Sequence, residues 1–191
     1  MPVTDPLPEP ADVLRFWLEE TPRDRHFARD DALDGAIRER FGALHALLSQ
    51  AVPPGWRATA EGRLAAVIVL DQFSRNLHRD SAAAFANDAA ALALARHALG
   101  AGDDRGASPL QLQFLYLPFM HAEDPGQQAR SEGLFSALAA DAPEMEAAAD
   151  YARRHAEVIN RFGRFSSRNA ALGRESTDEE RAFLADHPEG F

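Results

Sequence analysis

An all-α fold is predicted by three observations on this 191-residue chain. Apolar residues recur at helical spacing, helix-start signals recur between those stretches, and no segment alternates polar and apolar residues as a strand does. About eight helices can be placed. Short links between amphipathic helices favour antiparallel pairs stacked in two layers, a TPR-like arrangement, although no strict repeat period is present.

Residues 1–10 hold four prolines and read as a flexible N-terminal segment, with residues 11–191 as a single helical domain. The first helix, about Ala11 to Glu19, carries Val13, Leu14, Phe16, Trp17 and Leu18. The second has the cleanest periodicity: Leu33, Ile37, Phe41, Leu44, Leu48 and Ala51 form one stripe, ended by Pro53-Pro54-Gly55. The third runs from about Ala60 to Phe73. The fourth, about Ala82 to Leu99, follows Asp80-Ser81, either of which can cap it.

Ser108-Pro109-Leu110-Gln111 opens the fifth helix with a cap, a proline at the first helical position and a capping box. That helix is apolar nearly all round and should be buried, with a kink or early ending at Pro118. Asp124-Pro125 opens the sixth and Asp141-Ala142-Pro143 the seventh, whose stripe is Met145, Ala149, Ala152, Ala156 and Ile159. Ser176-Thr177 opens the last, which contains Phe183 and Leu184.

Thirty acidic and twenty basic residues give a net charge of −10, which argues against general binding to nucleic acid or an anionic membrane. The longest apolar runs are too short to span a bilayer, and no secretory signal opens the chain, so a cytoplasmic protein is expected. Cysteine is absent, and every basic residue is arginine. Thiolate nucleophiles, lysine Schiff bases and Gly-Lys-Ser/Thr phosphate loops are therefore excluded. Nothing in the sequence calls for a cofactor or a metal.

Three polar corners stand out. Phe73-Ser74-Arg75-Asn76 and Phe165-Ser166-Ser167-Arg168-Asn169 each place an Arg-Asn pair where an apolar helical pattern ends. Between them His121-Ala122-Glu123-Asp124 offers an imidazole and two carboxylates. Arg153 to Arg174 holds six arginines against one acid, Glu157, a local excess that suits a carboxylate or phosphate ligand. Each corner also has a structural reading. Asn and Arg favour helix C-termini, Asp71 and Arg75 are a helical i, i+4 pair, and the arginines can pair with the chain's surplus acids. Asp124 can cap the sixth helix, which leaves His121 and Glu123 as the acid–base candidates. His155 lies near the apolar stripe of its helix and reads as a core histidine.

Phe16-Trp17, Leu70 through Asn76, Tyr116 through Asp124, Gly163-Arg164-Phe165, Arg168-Asn169, Leu172-Gly173-Arg174 and Ser176-Thr177 together resemble the domain-of-unknown-function family 924. The likeness spans roughly Asp12 to Leu184. It implies an all-helical, TPR-like bacterial protein and no particular activity. The family pattern has proline where Ser74 and Ser166 stand, histidine at Ser167, serine at Ala122 and tyrosine near His78. A chemistry needing that histidine would leave this chain inactive or dependent on another group.

Two functional expectations follow. The first is a pocket lined by Arg75, Asn76, Arg164, Arg168 and Asn169, facing His121 and Glu123, for a small anionic molecule or an acidic peptide end. The second is a hydrolase or lyase with Glu123 or His121 as general base. In a third, structural reading the motifs are caps and interhelical ion pairs.

Overall fold

The computed structural model describes residues 6–187. Its centre is the helix α4, Ala60–Ile68, where residues 62–68 are all buried. From Leu64 to Ile68 the sequence is continuously apolar and has no side to give to water, while the buried Arg63 is paired with Asp103. Around α4 pack α1 (Pro10–Leu14), α3 (Pro54–Ala58), α6 (Asp88–Ala101) and α7 (Pro109–Met120). The remaining elements are α2 (Asp31–Gln50), α5 (Ser74–Leu77), α8 (Pro125–Asp141), α9 (Glu146–Phe162) and α10 (Asp178–Asp186). Among the described residues there is no strand, and the fold is all-helical. Residues 6–9 precede the first helix without regular structure, and residues 1–5 of the expected flexible segment lie outside the described residues.

Consecutive helices α7, α8 and α9 pack side by side across short links, which requires antiparallel runs. The start signals act as their chemistry predicts. Ser108 and Gln111 form a capping box on α7, Asp124 accepts from the Gln127 amide on α8, and Thr177 pairs with Glu180 on α10. The α7 helix ends two residues after Pro118.

Three expectations on element boundaries are corrected. Pro53-Pro54-Gly55 ends α2 but also starts α3, since proline suits the first helical turn. The α3 backbone then crosses α4 so closely that a Cβ on Gly62 would sit 2.3 Å from the Trp56 carbonyl oxygen. The predicted helix over Ala82 to Leu99 is a 3-10 turn, Ala82–Phe85, followed by α6, with Asn87 between them. The helix expected to stop at Phe73 instead passes through a π-helical stretch, Val69–Phe73, and runs on as α5 to Leu77. Asn76 is therefore not a left-handed cap. Its amide is buried and donates to Asp34 Oδ1 at 2.8 Å.

One large core joins α1 through α9. A small second cluster, Val158, Ile159 and Phe165 with Phe162 and Phe183, seats α10. No helix among the described residues is long and apolar enough to cross a membrane.

Candidate functional site

The π-helical stretch Val69–Phe73 inserts an extra residue into a buried helix, a feature that recurs at functional sites. Here it carries Asp71 and Gln72, both almost wholly buried. Asp71 Oδ1 lies 2.7 Å from His121 Nδ1, across from the end of α7. Gln72 Nε2 donates to Asp71 Oδ2, and Arg75 Nη1 lies 3.3 Å from Asp71 Oδ1. Burial pushes the Asp71 carboxyl up, but Arg75 and His121 outweigh it and hold the group below the usual carboxylate range. Burial pushes the His121 imidazole down, and Arg75 adds to the effect. The pair at neutral pH is a carboxylate and a neutral imidazole. Nδ1–H donates to Asp71, and Nε2 carries the lone pair.

His121 lines a cavity of about 540 Å³. Gln72, Arg75, Asn76 and Arg79 line it from the first Arg-Asn corner. Leu117 and Met120 come from α7, and Ala148, Tyr151 and His155 from α9. His26 and Phe27 close it from the segment before α2. His155 Nδ1 donates to the Tyr151 carbonyl, so its Nε2 also holds a lone pair. Burial, then His121, brings His155 down to about 4. The two imidazole centroids are 6.4 Å apart.

The arginines of this wall are matched by carboxylates. Arg79 donates to both oxygens of Asp34 and to the Ala28 carbonyl. Arg75 forks onto Asp88 at 3.0 and 3.2 Å. Asp88 also takes Arg168 Nη1 at 3.0 Å, and Arg168 Nη2 donates to the His121 carbonyl at 3.0 Å. Arg168 thus stands behind His121 and joins the two Arg-Asn corners through one shared carboxylate. Its guanidinium lies over the Phe85 and Phe165 rings.

The other expected site residues are engaged elsewhere. Arg164 donates to both Glu180 oxygens, at 2.7 and 2.8 Å. Asn169 donates to Ser176 and Glu180 and accepts from Arg174. Glu123 receives Arg174 on both oxygens and the Phe165 amide on Oε1. Burial raises the Glu123 carboxyl, while Arg174 and that amide bring it below its ordinary value. None of these three lines the cavity. The structure brings Arg75, Asn76 and His121 together, with Arg168 one layer behind, and places Arg164, Asn169 and Glu123 in a neighbouring network. Asp71, Gln72, Arg79, Tyr151 and His155 were not among the expected site residues. Asp71 carried one available signal, its i, i+4 relation to Arg75. His155, expected in the core, is on the cavity wall.

Residues 13–188 match the family model described as "Bacterial protein of unknown function (DUF924)". The chain belongs to this family. A solved structure of a protein of unknown function from Agrobacterium tumefaciens is 37% identical, with a TM-score of 0.84, covering 93% of this chain and 97% of that one. Among curated proteins none matches. The family match spans all three polar corners, the cavity included. Among the described residues no group of three or more His, Asp or Glu side chains is arranged to hold a metal ion.

Proposed function

We propose that the cavity is an acid–base catalytic site of a hydrolase, with His121 as general base and Asp71 as the residue that orients it. The observation that carries this reading is the 2.7 Å contact between His121 Nδ1 and the buried Asp71 carboxylate, on an imidazole that also faces a cavity. A carboxylate on Nδ1 fixes the tautomer that leaves Nε2 basic, and it stabilises the imidazolium formed during turnover.

Among the described residues no serine or threonine lines the cavity, and the chain has no cysteine, so the natural nucleophile is water. Nε2 takes a proton from water as its oxygen bonds to a substrate carbonyl carbon. The carbonyl π electrons move to oxygen, which meets Arg79 Nη1, the nitrogen not used on Asp34 or Ala28. The imidazolium then returns the proton to the leaving oxygen or nitrogen as the carbonyl re-forms.

The test is a panel of aryl esters and anilides assayed with the parent and His121→Gln. At least one member should be hydrolysed, with kcat lower by about 10²–10⁴-fold in the variant. Equal rates for parent and variant across every hydrolysed member would overturn the assignment.

A second reading is a binding pocket for a small anion or acidic peptide end on a TPR-like scaffold. Arg75 and Arg79 favour it, since both guanidiniums line the cavity. Phosphate and acetate titrations separate the readings, because only this one requires anion binding that weakens in Arg79→Gln.

A further inference from the structure

We propose that the cavity recognises a small molecule with a planar aromatic ring and an uncharged carboxamide head, the ring seated by Phe27 and Tyr151 and the head, through its N–H, by His121. This rests on reading the cavity as the functional site, but not on His121 acting as a base.

Large exposed apolar side chains are few among the described residues: Leu7, Phe27, Leu47 and Tyr151. The two aromatic ones, at 60% and 50% exposure, both line this one cavity. Scattered single exposures are ordinary, but two rings converging on a concave site are the feature of a ligand surface. The Phe27 ring is preset. It stacks on the buried Phe114 at 6.1 Å with 22° between planes and meets the His26 edge at 6.2 Å. His26 is itself fixed, with Nε2 2.7 Å from the Trp17 carbonyl oxygen. A preset ring loses little freedom when it stacks on a ligand.

The buried Leu117 and Met120 add apolar surface to the same lining, and Gln72 and His121 add hydrogen-bonding groups. The lining thus combines aromatic, apolar and hydrogen-bonding surface, as an aryl carboxamide requires.

Charge decides the head group. Arg75 and Arg79 line the cavity, yet Asp88 and Asp71 face the first and Asp34 the second. Arg168 behind them shares Asp88. Three guanidiniums meet three carboxylates, leaving no net charge for a ligand ion to answer. Both cavity imidazoles near Tyr151 and Asp71 have their Nδ1 positions committed, and they offer lone pairs at Nε2 to an N–H such as that of an amide.

The experiment is a backbone and aromatic NMR titration of the full chain with benzamide, acetamide and benzoate. Benzamide should bind at roughly millimolar concentration, as suits a fragment of its size, and shift Phe27, Tyr151 and His121 signals. Acetamide should bind about tenfold more weakly for want of the ring. Phe27→Ala should lower benzamide affinity about tenfold and leave acetamide unchanged, while Leu47→Ala, an exposed apolar residue away from the cavity, should change neither. Equal binding of benzamide and acetamide, or shifts confined to another surface, would overturn the proposal. Benzoate binding more than tenfold tighter than benzamide would overturn it in favour of an anion site. His121→Gln should weaken benzamide and acetamide alike and keep the roughly tenfold preference between them, so failure of ring recognition and failure of the catalytic reading are seen separately.

Discussion

The two Arg-Asn corners hold the same residue types in opposite surroundings. At the first, Arg75 and Asn76 continue a helix beyond a π-helical stretch and line a cavity beside His121. At the second, a 3-10 turn at Ser166–Arg168 hands its polar groups to the protein's own acids: Arg164 and Asn169 to Glu180, and the Phe165 amide to Glu123. Arg168 alone reaches across, to Asp88 and to the His121 carbonyl. The difference teaches that a motif does not make a site. What matters is whether the neighbouring elements leave the donors facing a cavity or close on them, and α10 closes on the second corner.

The sharpest way to break this comparison is to remove the carboxylate under the first corner. Asp71→Ala leaves His121 and Arg75 without their buried partner and should cost about 3–5 kcal/mol in urea unfolding. A loss below about 1 kcal/mol would mean the pair is not the buried unit described. Next is Glu180→Ala, which strips the second corner of its buried acceptor. It should cost roughly 1–3 kcal/mol and leave aryl ester hydrolysis and benzamide binding unchanged. Loss of either activity at parental stability would place the second corner inside the site.

The two regions should also separate by pH. His155, brought down to about 4 from an ordinary 6.5, binds fewer protons folded than unfolded between those values. Its contribution to stability is full above 6.5 and is lost as pH falls toward 4. Glu180 is held at about 2, below an ordinary 4.5, first by Arg164 and also by the Thr177 amide. Its contribution is full above 4.5 and is lost as pH falls toward 2. In unfolding measured across pH, His155→Gln should flatten the upper window and Glu180→Gln the lower one. A variant that flattened the other's window would show the regions are coupled. The smallest effect is expected at Arg161, in the same basic stretch but paired with Glu179 on an exposed face. Arg161→Ala should stay within about 0.5 kcal/mol by the same unfolding measurement.

The helices were legible because their signals are local. The stripe from Leu33 to Leu48, the Ser108-Gln111 box and the Thr177-Glu180 box each need only a few neighbouring residues, and each acts as its chemistry predicts. The π-helical stretch Val69–Phe73 was not legible, since the extra residue shows only in the backbone. The cavity was legible in part. Arg75, Asn76 and His121 are conspicuous polar groups at the ends of apolar runs. Their alignment with Asp71, and the arrival of Phe27 and Tyr151 from distant elements, depend on tertiary packing that no local spacing encodes. Glu123 and His121 were equal candidates for the base in sequence, but Arg174 and the Phe165 amide, both far along the chain, occupy the Glu123 oxygens.

The central claim is that His121 is held by Asp71 as a neutral base facing the cavity. Side-chain ¹⁵N NMR of His121 at pH 7 tests it most directly. The account predicts a protonated, hydrogen-bonded Nδ1 and a bare Nε2, with the Nδ1 signal moving when Asp71→Asn is introduced. A protonated Nε2 with a bare Nδ1, or an imidazole that titrates at its ordinary value with no response to Asp71→Asn, would contradict it.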